Sequence, residues 1–224
     1  MSKQKTQQSD AINVEEVLGK SEAFILKYKM QIIVAVAAIV IIVGGSMLYK
    51  TNVSEPRAKA ASEAIYQAQS YFAAQDFEKA LNGDEQGNMG FMQIIDEFGG
   101  TPTANVANAY AGLALAQTGR YEEAITYLKA FDGSDNMVAP GVLGALGNCY
   151  ANTGDLSSAV SKFIEAAKVA DNNTISPYCL LQAGLIYEQQ GKKDDALKVY
   201  TQIKEKYFAS VQAMDIDKYI NRVK

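Results

Sequence analysis

Three stretches of this chain decide its fold: ANVANAYAGLALAQTGRYEEAITYLKAF (104–131), PGVLGALGNCYANTGDLSSAVSKFIEAA (140–167) and PYCLLQAGLIYEQQGKKDDALKVYTQIK (177–204). They align without gaps. Gly119, Gly154 and Gly191 fall 35 and 37 residues apart. Seven residues before each stands a second glycine (Gly112, Gly147, Gly184), and five after each an alanine (Ala124, Ala159, Ala196). Nine after each is a bulky residue, Leu128, Phe163 or Tyr200. A repeat near 35 residues signals stacked helical hairpins. Two antiparallel helices that cross closely need small residues where their backbones meet, with bulky neighbours filling the space beside the crossing. The central glycine ends the first helix in a left-handed conformation. One hairpin cannot bury its apolar face alone, so neighbours must stack.

This spacing resembles the tetratricopeptide repeat (TPR). Tyr150 and Tyr187 match its first-helix aromatic, with Leu115 in the earlier copy, and Ala166 matches its second small residue. Phe131 and Ile203 depart there, and Asn136, Asp171 and Tyr207 stand where proline is usual. A fourth copy precedes these three. ASEAIYQAQSYFAAQDFEKA (61–80) has Ala68, Tyr71 and Ala80 at matching offsets, with Gln75 in place of the turn glycine. LNGDEQGNMG (81–90) interrupts its second helix before FMQIIDEF (91–98), either as an inserted loop or as a break between two shorter helices. Gly99-Gly100-Thr101-Pro102 then stops one helix and starts the next. FASVQAMDIDKYINRVK (208–224) reads as a capping helix over 210–222, with Ser210 as N-cap and Val211, Met214, Tyr219 and Ile220 on one face.

Upstream lies a different texture. MQIIVAVAAIVIIVGGSMLY (30–49) is 20 residues without a charge, ten of them Ile, Val or Leu. A helix of that length spans about 30 Å, the hydrocarbon thickness of a bilayer. At about −0.3 to −0.6 kcal/mol each, those ten side chains favour insertion by about −3 to −6 kcal/mol. A cleaved signal peptide competes: Ile32–Val43 alone is 12 residues, with a weak small-residue site at Val43-Gly44-Gly45. The long preceding segment, its acids Asp10, Glu15, Glu16 and Glu22, and the apolar continuation through Met47-Leu48-Tyr49 favour an uncleaved anchor. Residues 1–29 open on a polar tail, include an amphipathic stretch at Ala11–Gly19, and end with Lys27 and Lys29 at the membrane edge. Five cations before the anchor (Lys3, Lys5, Lys20, Lys27, Lys29) face three after it (Lys50, Arg57, Lys59). That excess places residues 1–29 in the cytoplasm and the large domain outside.

The expected fold is therefore all-α. A single transmembrane helix leads through 50–60 into a TPR-type solenoid over 61–224. Its repeats lie at about 61–100, 105–139, 140–176 and 177–207.

Composition removes most chemistry. The chain has no His, so no Ser-His-Asp or Cys-His nucleophile and no His-ligated metal site can form. Cys149 and Cys179 are too few for a four-thiolate site, and their repeat positions separate them by about 10 Å, beyond disulfide reach. They read as small core residues. Asp84, Glu85, Asp96 and Glu97 lack the spacing of a calcium loop and read as solvated charge. Lys192-Lys193-Asp194-Asp195 reads as an exposed turn and first helical turn. Residues 51–224 hold 15 Lys/Arg against 21 Asp/Glu, net −6, which argues against nucleic acid as a partner. No cofactor, no metal and no enzymatic activity are expected.

The TPR resemblance supplies a binding face. In such arrays the inner surface is lined by first-helix positions turned away from the second helix. Carried over, these are Ala109, Leu113, Ala116 and Gln117 in one copy, and Gly144, Asn148, Ala151 and Asn152 in the next. The last copy gives Tyr178, Leu181, Leu185, Glu188 and Gln189. The set lacks Lys and Arg, so it is no clamp for a terminal carboxylate, which needs cationic donors. An apolar face with amides suits an extended or helical protein segment, with Asn148 and Asn152 bonding its backbone. The alternative is that the chain's own ends cover part of it.

The whole arrangement of tail, single anchor and TPR domain resembles the YfgM family. That resemblance implies an ancillary subunit beside the SecYEG translocon, on the periplasmic face of the bacterial inner membrane, working with chaperones such as PpiD and exported clients. A second reading is a periplasmic TPR adaptor resembling the cell-division coordinator that works with Tol-Pal, which would call for a cleaved signal and sustained heptads.

Overall fold

The computed structural model describes residues 14–224, with side chains from Leu26 onward. The polar start of the tail and the apolar face assigned to Ala11–Gly19 lie outside the described residues. The chain divides into two compact units, one through Glu55 and one over Pro56–Lys224. Among the described residues every element is helical.

The first unit holds α1 (Val14–Tyr49) and a π-helical turn at Lys50–Ser54. Here lies the one helix, among the described residues, that is long and apolar enough to cross a membrane; its best window has mean hydropathy 2.6, and protein covers none of it. Just past the apolar run, Thr51 Oγ1 and Asn52 Nδ2 donate to the carbonyls of Met47 and Leu48, each at 3.0 Å. These polar side chains thus satisfy themselves on their own helix.

The second unit opens with α2 (Glu55–Ala73), followed by α3 (Phe77–Asn82) and α4 (Phe91–Phe98). Two short helices, with a loop at 83–90 between them, stand where the other hairpins have one. That loop is knotted around Asp84. Its carboxylate accepts from the amides of Gln86 and Asn88 at 2.9 Å, from Asn88 Nδ2 at 2.6 Å and from the Tyr71 hydroxyl. The Tyr71 hydroxyl, then Asn88, hold the Asp84 carboxyl down to about 2. This corrects the reading of Asp84 as mere solvated charge: it organises the insertion. Phe72, Phe91 and Tyr110 pack the hairpin onto the next helix, with the Phe91 and Tyr110 rings stacked at 5.1 Å. Arg57 Nη2 donates to the Glu97 carbonyl at 2.7 Å, satisfying an end of α4.

Three full hairpins follow: α5 (Pro102–Gln117) with α6 (Tyr121–Ala130), α7 (Ala139–Asn152) with α8 (Leu156–Ala170), and α9 (Ile175–Gln189) with α10 (Lys193–Lys206). Gly119, Gly154 and Gly191 take φ of 77°, 86° and 72°. The crossings are tight. A Cβ built on Gly112, Gly147 or Gly184 would lie 2.5, 2.8 or 2.2 Å from the side chain of Leu128, Phe163 or Tyr200. Ala124, Ala159 and Ala196 are fully buried beside them. Neighbouring hairpins also bond to one another: Tyr207 Oη donates to Asp171 Oδ1 at 2.9 Å, and Lys206 Nζ pairs with the same oxygen at 2.6 Å.

Gln75 occupies the same turn as those glycines, at φ 61°. Asp76 N bonds to Tyr71 O at 2.9 Å and Gln75 N to Phe72 O at 3.0 Å, the two closing bonds that recur around Gly119 and Gly191. A side chain in the left-handed region costs about 1 kcal/mol that glycine avoids. Gln75→Gly is therefore expected to stabilise the domain by about 0.5–1 kcal/mol, read as a higher urea midpoint at unchanged slope.

The chain ends in two pieces, α11 (Val211–Met214) and α12 (Ile216–Val223). Ser210 caps α11 by accepting from Ala213 N at 3.2 Å. The break at Asp215 corrects the expected single apolar face. Val211 and Met214 point to solvent, 74% and 81% exposed, while Ile216, Ile220 and Val223 are buried against the last hairpin.

Candidate functional site

The first helices of the three full hairpins, α5, α7 and α9, form the walls and floor of a groove of about 520 Å³. Leu113 and Gln117 reach it from α5, Asn148 and Asn152 from α7, and Tyr178 from α9. With Ala116 and Gly144, seven of the thirteen residues selected from the sequence thus meet at one place. Buried Gly144 keeps the floor low; a Cβ there would touch the Cys179 sulfur at 3.7 Å. Leu181, Leu185 and Gln189 lie farther along α9 and do not line this groove, and Leu181 packs partly into the core.

The polar groups of the groove are amides. Among the described residues, the Asn148 and Gln117 carboxamides have no protein partner. Asn152 Nδ2 donates to the Asn148 carbonyl at 2.9 Å, within α7 itself. Asn152 therefore keeps its oxygen and one amide hydrogen for a visiting backbone. Cys149 and Cys179 also line the groove and are free and buried. Burial pushes both thiols up to about 11, so little nucleophilic thiolate exists at neutral pH.

The face ends where the chain covers it. Glu188, selected as a lining residue, is held instead by the C-terminal helix. Arg222 grips its carboxylate through Nε at 2.7 Å and Nη2 at 2.8 Å, and Tyr200 Oη donates to it at 2.5 Å. Arg222, helped by the Tyr200 hydroxyl, holds the Glu188 carboxyl below the ordinary value of 4.5. A carboxyl depressed on folding adds stability above its unfolded value, and that stability is lost as pH falls through the lower folded one. The amides of α12 are therefore expected to exchange hydrogen faster as pH drops from about 5 towards 3, after correction for intrinsic rates. In Glu188→Gln that acid-dependent part disappears, as mass spectrometry of the exchanged peptides would read.

A second chamber, of about 490 Å³, shares Leu113 and Gly141 with the first as lining residues. It lies between α5, the loop after α6 and the start of α7, and it was not foreseen from the sequence. Phe131, in a slot where the repeat pattern places a small residue, was its one visible signal. Asn105 clips the loop in place with a reciprocal pair: Asp132 N donates to Asn105 Oδ1 and Asn105 Nδ2 to the Asp132 carbonyl, each at 2.7 Å. Asp135 Oδ1 accepts from the amides of Met137 at 2.8 Å and Val138 at 2.6 Å and so orders the turn before α7. Those amides hold its carboxyl below the usual range. Among the described residues no group of three or more His, Cys, Asp or Glu could hold a metal ion.

A stack of helical hairpins presenting an uncharged groove defines a helical-repeat architecture. Two family models, each described as tetratricopeptide repeat, match residues 109–135 and 178–207, and the chain carries tetratricopeptide repeats there. No curated protein matches it.

Proposed function

We propose that this chain is a membrane-tethered scaffold that holds segments of other proteins in the groove across α5, α7 and α9. One observation carries the reading: free carboxamides of Gln117 and Asn148 stand beside the apolar Leu113 and Tyr178 in a single groove without a charged lining residue. Amides can bond any peptide backbone, and apolar surface rewards side chains without selecting one sequence. TPR arrays generally act as non-enzymatic scaffolds, and we assign no catalysis here. The apolar run of α1 supplies the tether, and tethering raises the local concentration of groove and partner, so modest affinity suffices.

The cation excess before the anchor and the likeness to the YfgM family support the finer reading. In it, the repeat domain faces the periplasm of a bacterial inner membrane, beside the SecYEG translocon and its chaperones. A photo-crosslinking residue at Asn148, in the full chain in its own membrane, tests both levels. Adducts with translocon subunits, periplasmic chaperones or exported chains are expected. Adducts confined to Tol-Pal components would sink the translocon reading and keep the scaffold. A groove that yields no adducts would sink the scaffold itself.

A further inference from the structure

The two adjoining chambers, which share Leu113 and Gly141, differ in charge. The first has no charged lining residue, and the second has two, Asp132 and Asp135. Neither is lined by a Lys or Arg. Among the described residues the Asp132 carboxylate has no protein partner, because Asn105 holds only its backbone. Asp135 receives backbone amides alone. Both are exposed, at the edge of a chamber whose other walls include the half-open Val106 and Val138 and the Phe131 ring. Around them residues 51–224 carry a net charge of −6. Apolar walls with two uncompensated carboxylates at the lip favour a bulky apolar side chain flanked by cations and reject one flanked by acids.

We infer that the chamber between α5, loop 131–138 and α7 receives the apolar side chain of a protein segment whose neighbouring residues are Lys or Arg. The inference rests on the groove reading above and gives its partner a chemical character. The carboxamides of the first chamber bond the backbone that continues from the anchored side chain, while Asp132 and Asp135 pair with the flanking cations. These pairs lie at the rim, so they set preference and salt dependence rather than most of the affinity.

The test uses the full chain in nanodiscs of uncharged lipid, with empty discs as control, and three synthetic peptides. All share one Leu-Phe anchor, flanked by Lys, by Gln or by Glu, and binding is read by calorimetry. At about 20 mM salt the Lys peptide is expected to bind about three- to tenfold tighter than the Gln peptide, with the Glu peptide weakest. Salt of about 0.5 M should erase most of that order. Asp132→Asn with Asp135→Asn, which keeps an oxygen for the Met137 and Val138 amides, should bring the Lys and Gln peptides to equal affinity without loss of helix content. Equal affinity of those two peptides for the unaltered chain, or a Lys preference that survives the double substitution, overturns the inference and leaves the groove standing. No binding by any of the three removes the groove reading as well.

Discussion

Gly184→Val is expected to lower the stability of the repeat domain by about 3 kcal/mol, the upper part of the usual overpacking range. For a domain of this size that is a fall of roughly 6–12 °C in the thermal midpoint. The cause is geometric. A Cβ on Gly184 would sit 2.2 Å from Cε1 and 2.7 Å from Cζ of Tyr200. Tyr200 is fully buried, and its hydroxyl is tied to Glu188 at 2.5 Å, so the ring cannot swing aside without leaving a buried polar group short of its partner. The alternative is to part α9 from α10, which opens voids along the whole crossing. Valine's better helix propensity returns only about 0.5 kcal/mol. In a double-variant cycle with Tyr200→Ala the two losses should be strongly non-additive, since removing the ring removes the clash. A loss below about 1 kcal/mol for Gly184→Val would show that the helices separate cheaply and that glycine there is not required by packing.

Phe163→Ala should cost about 4 kcal/mol, read as a lower urea midpoint with little change in slope. Its ring is 1% exposed, lies over Gly147 where α7 crosses α8, and belongs to the core shared with α9 and α10. Deleting it removes apolar burial and leaves a cavity that the glycine opposite cannot fill. Phe208→Ala is the control within the same chain. That ring is 77% exposed, and its loss should stay within about 0.5 kcal/mol. Equal effects at the two positions would contradict the assignment of the core.

These positions also show what kind of feature a sequence exposes. A backbone crossing imposes small residues at fixed offsets, so Gly112, Ala124 and Leu128 and their later counterparts announce the hairpins before any coordinates exist. The left-handed turn is equally local, and even Gln75 betrays it by position alone. The insertion at 81–90 was visible as an interruption, but not its organisation, because Tyr71 and Asp84 meet through tertiary packing. The same limit governed the site. Leu113 and Asn148, and likewise Gln117 and Asn152, share a groove because they hold the same repeat positions, whereas Tyr178 enters from another position and their counterparts in the last copy, Leu185 and Gln189, lie outside it. The adjoining chamber depends on the clip between Asn105 and Asp132, 27 residues apart, and no periodicity carries such a pair. Glu188 kept the phase of a lining residue and lost it to Arg222, 34 residues downstream. Val211 and Met214 failed for a local reason: the helix restarts after Asp215, so they do not share a helical face with Tyr219 and Ile220.

The short last helix covers the outer face of the last hairpin. Ile216, Ile220 and Val223 lie on the surface that another hairpin would need for stacking, and Arg222 fastens them there through Glu188. A nonsense mutation before Asp215 would do more than shorten the protein: it would bare to water the apolar face of the last hairpin that Ile216, Ile220 and Val223 cover. The eight residues of α12 thus act as a lid that keeps an apolar end of the stack dry.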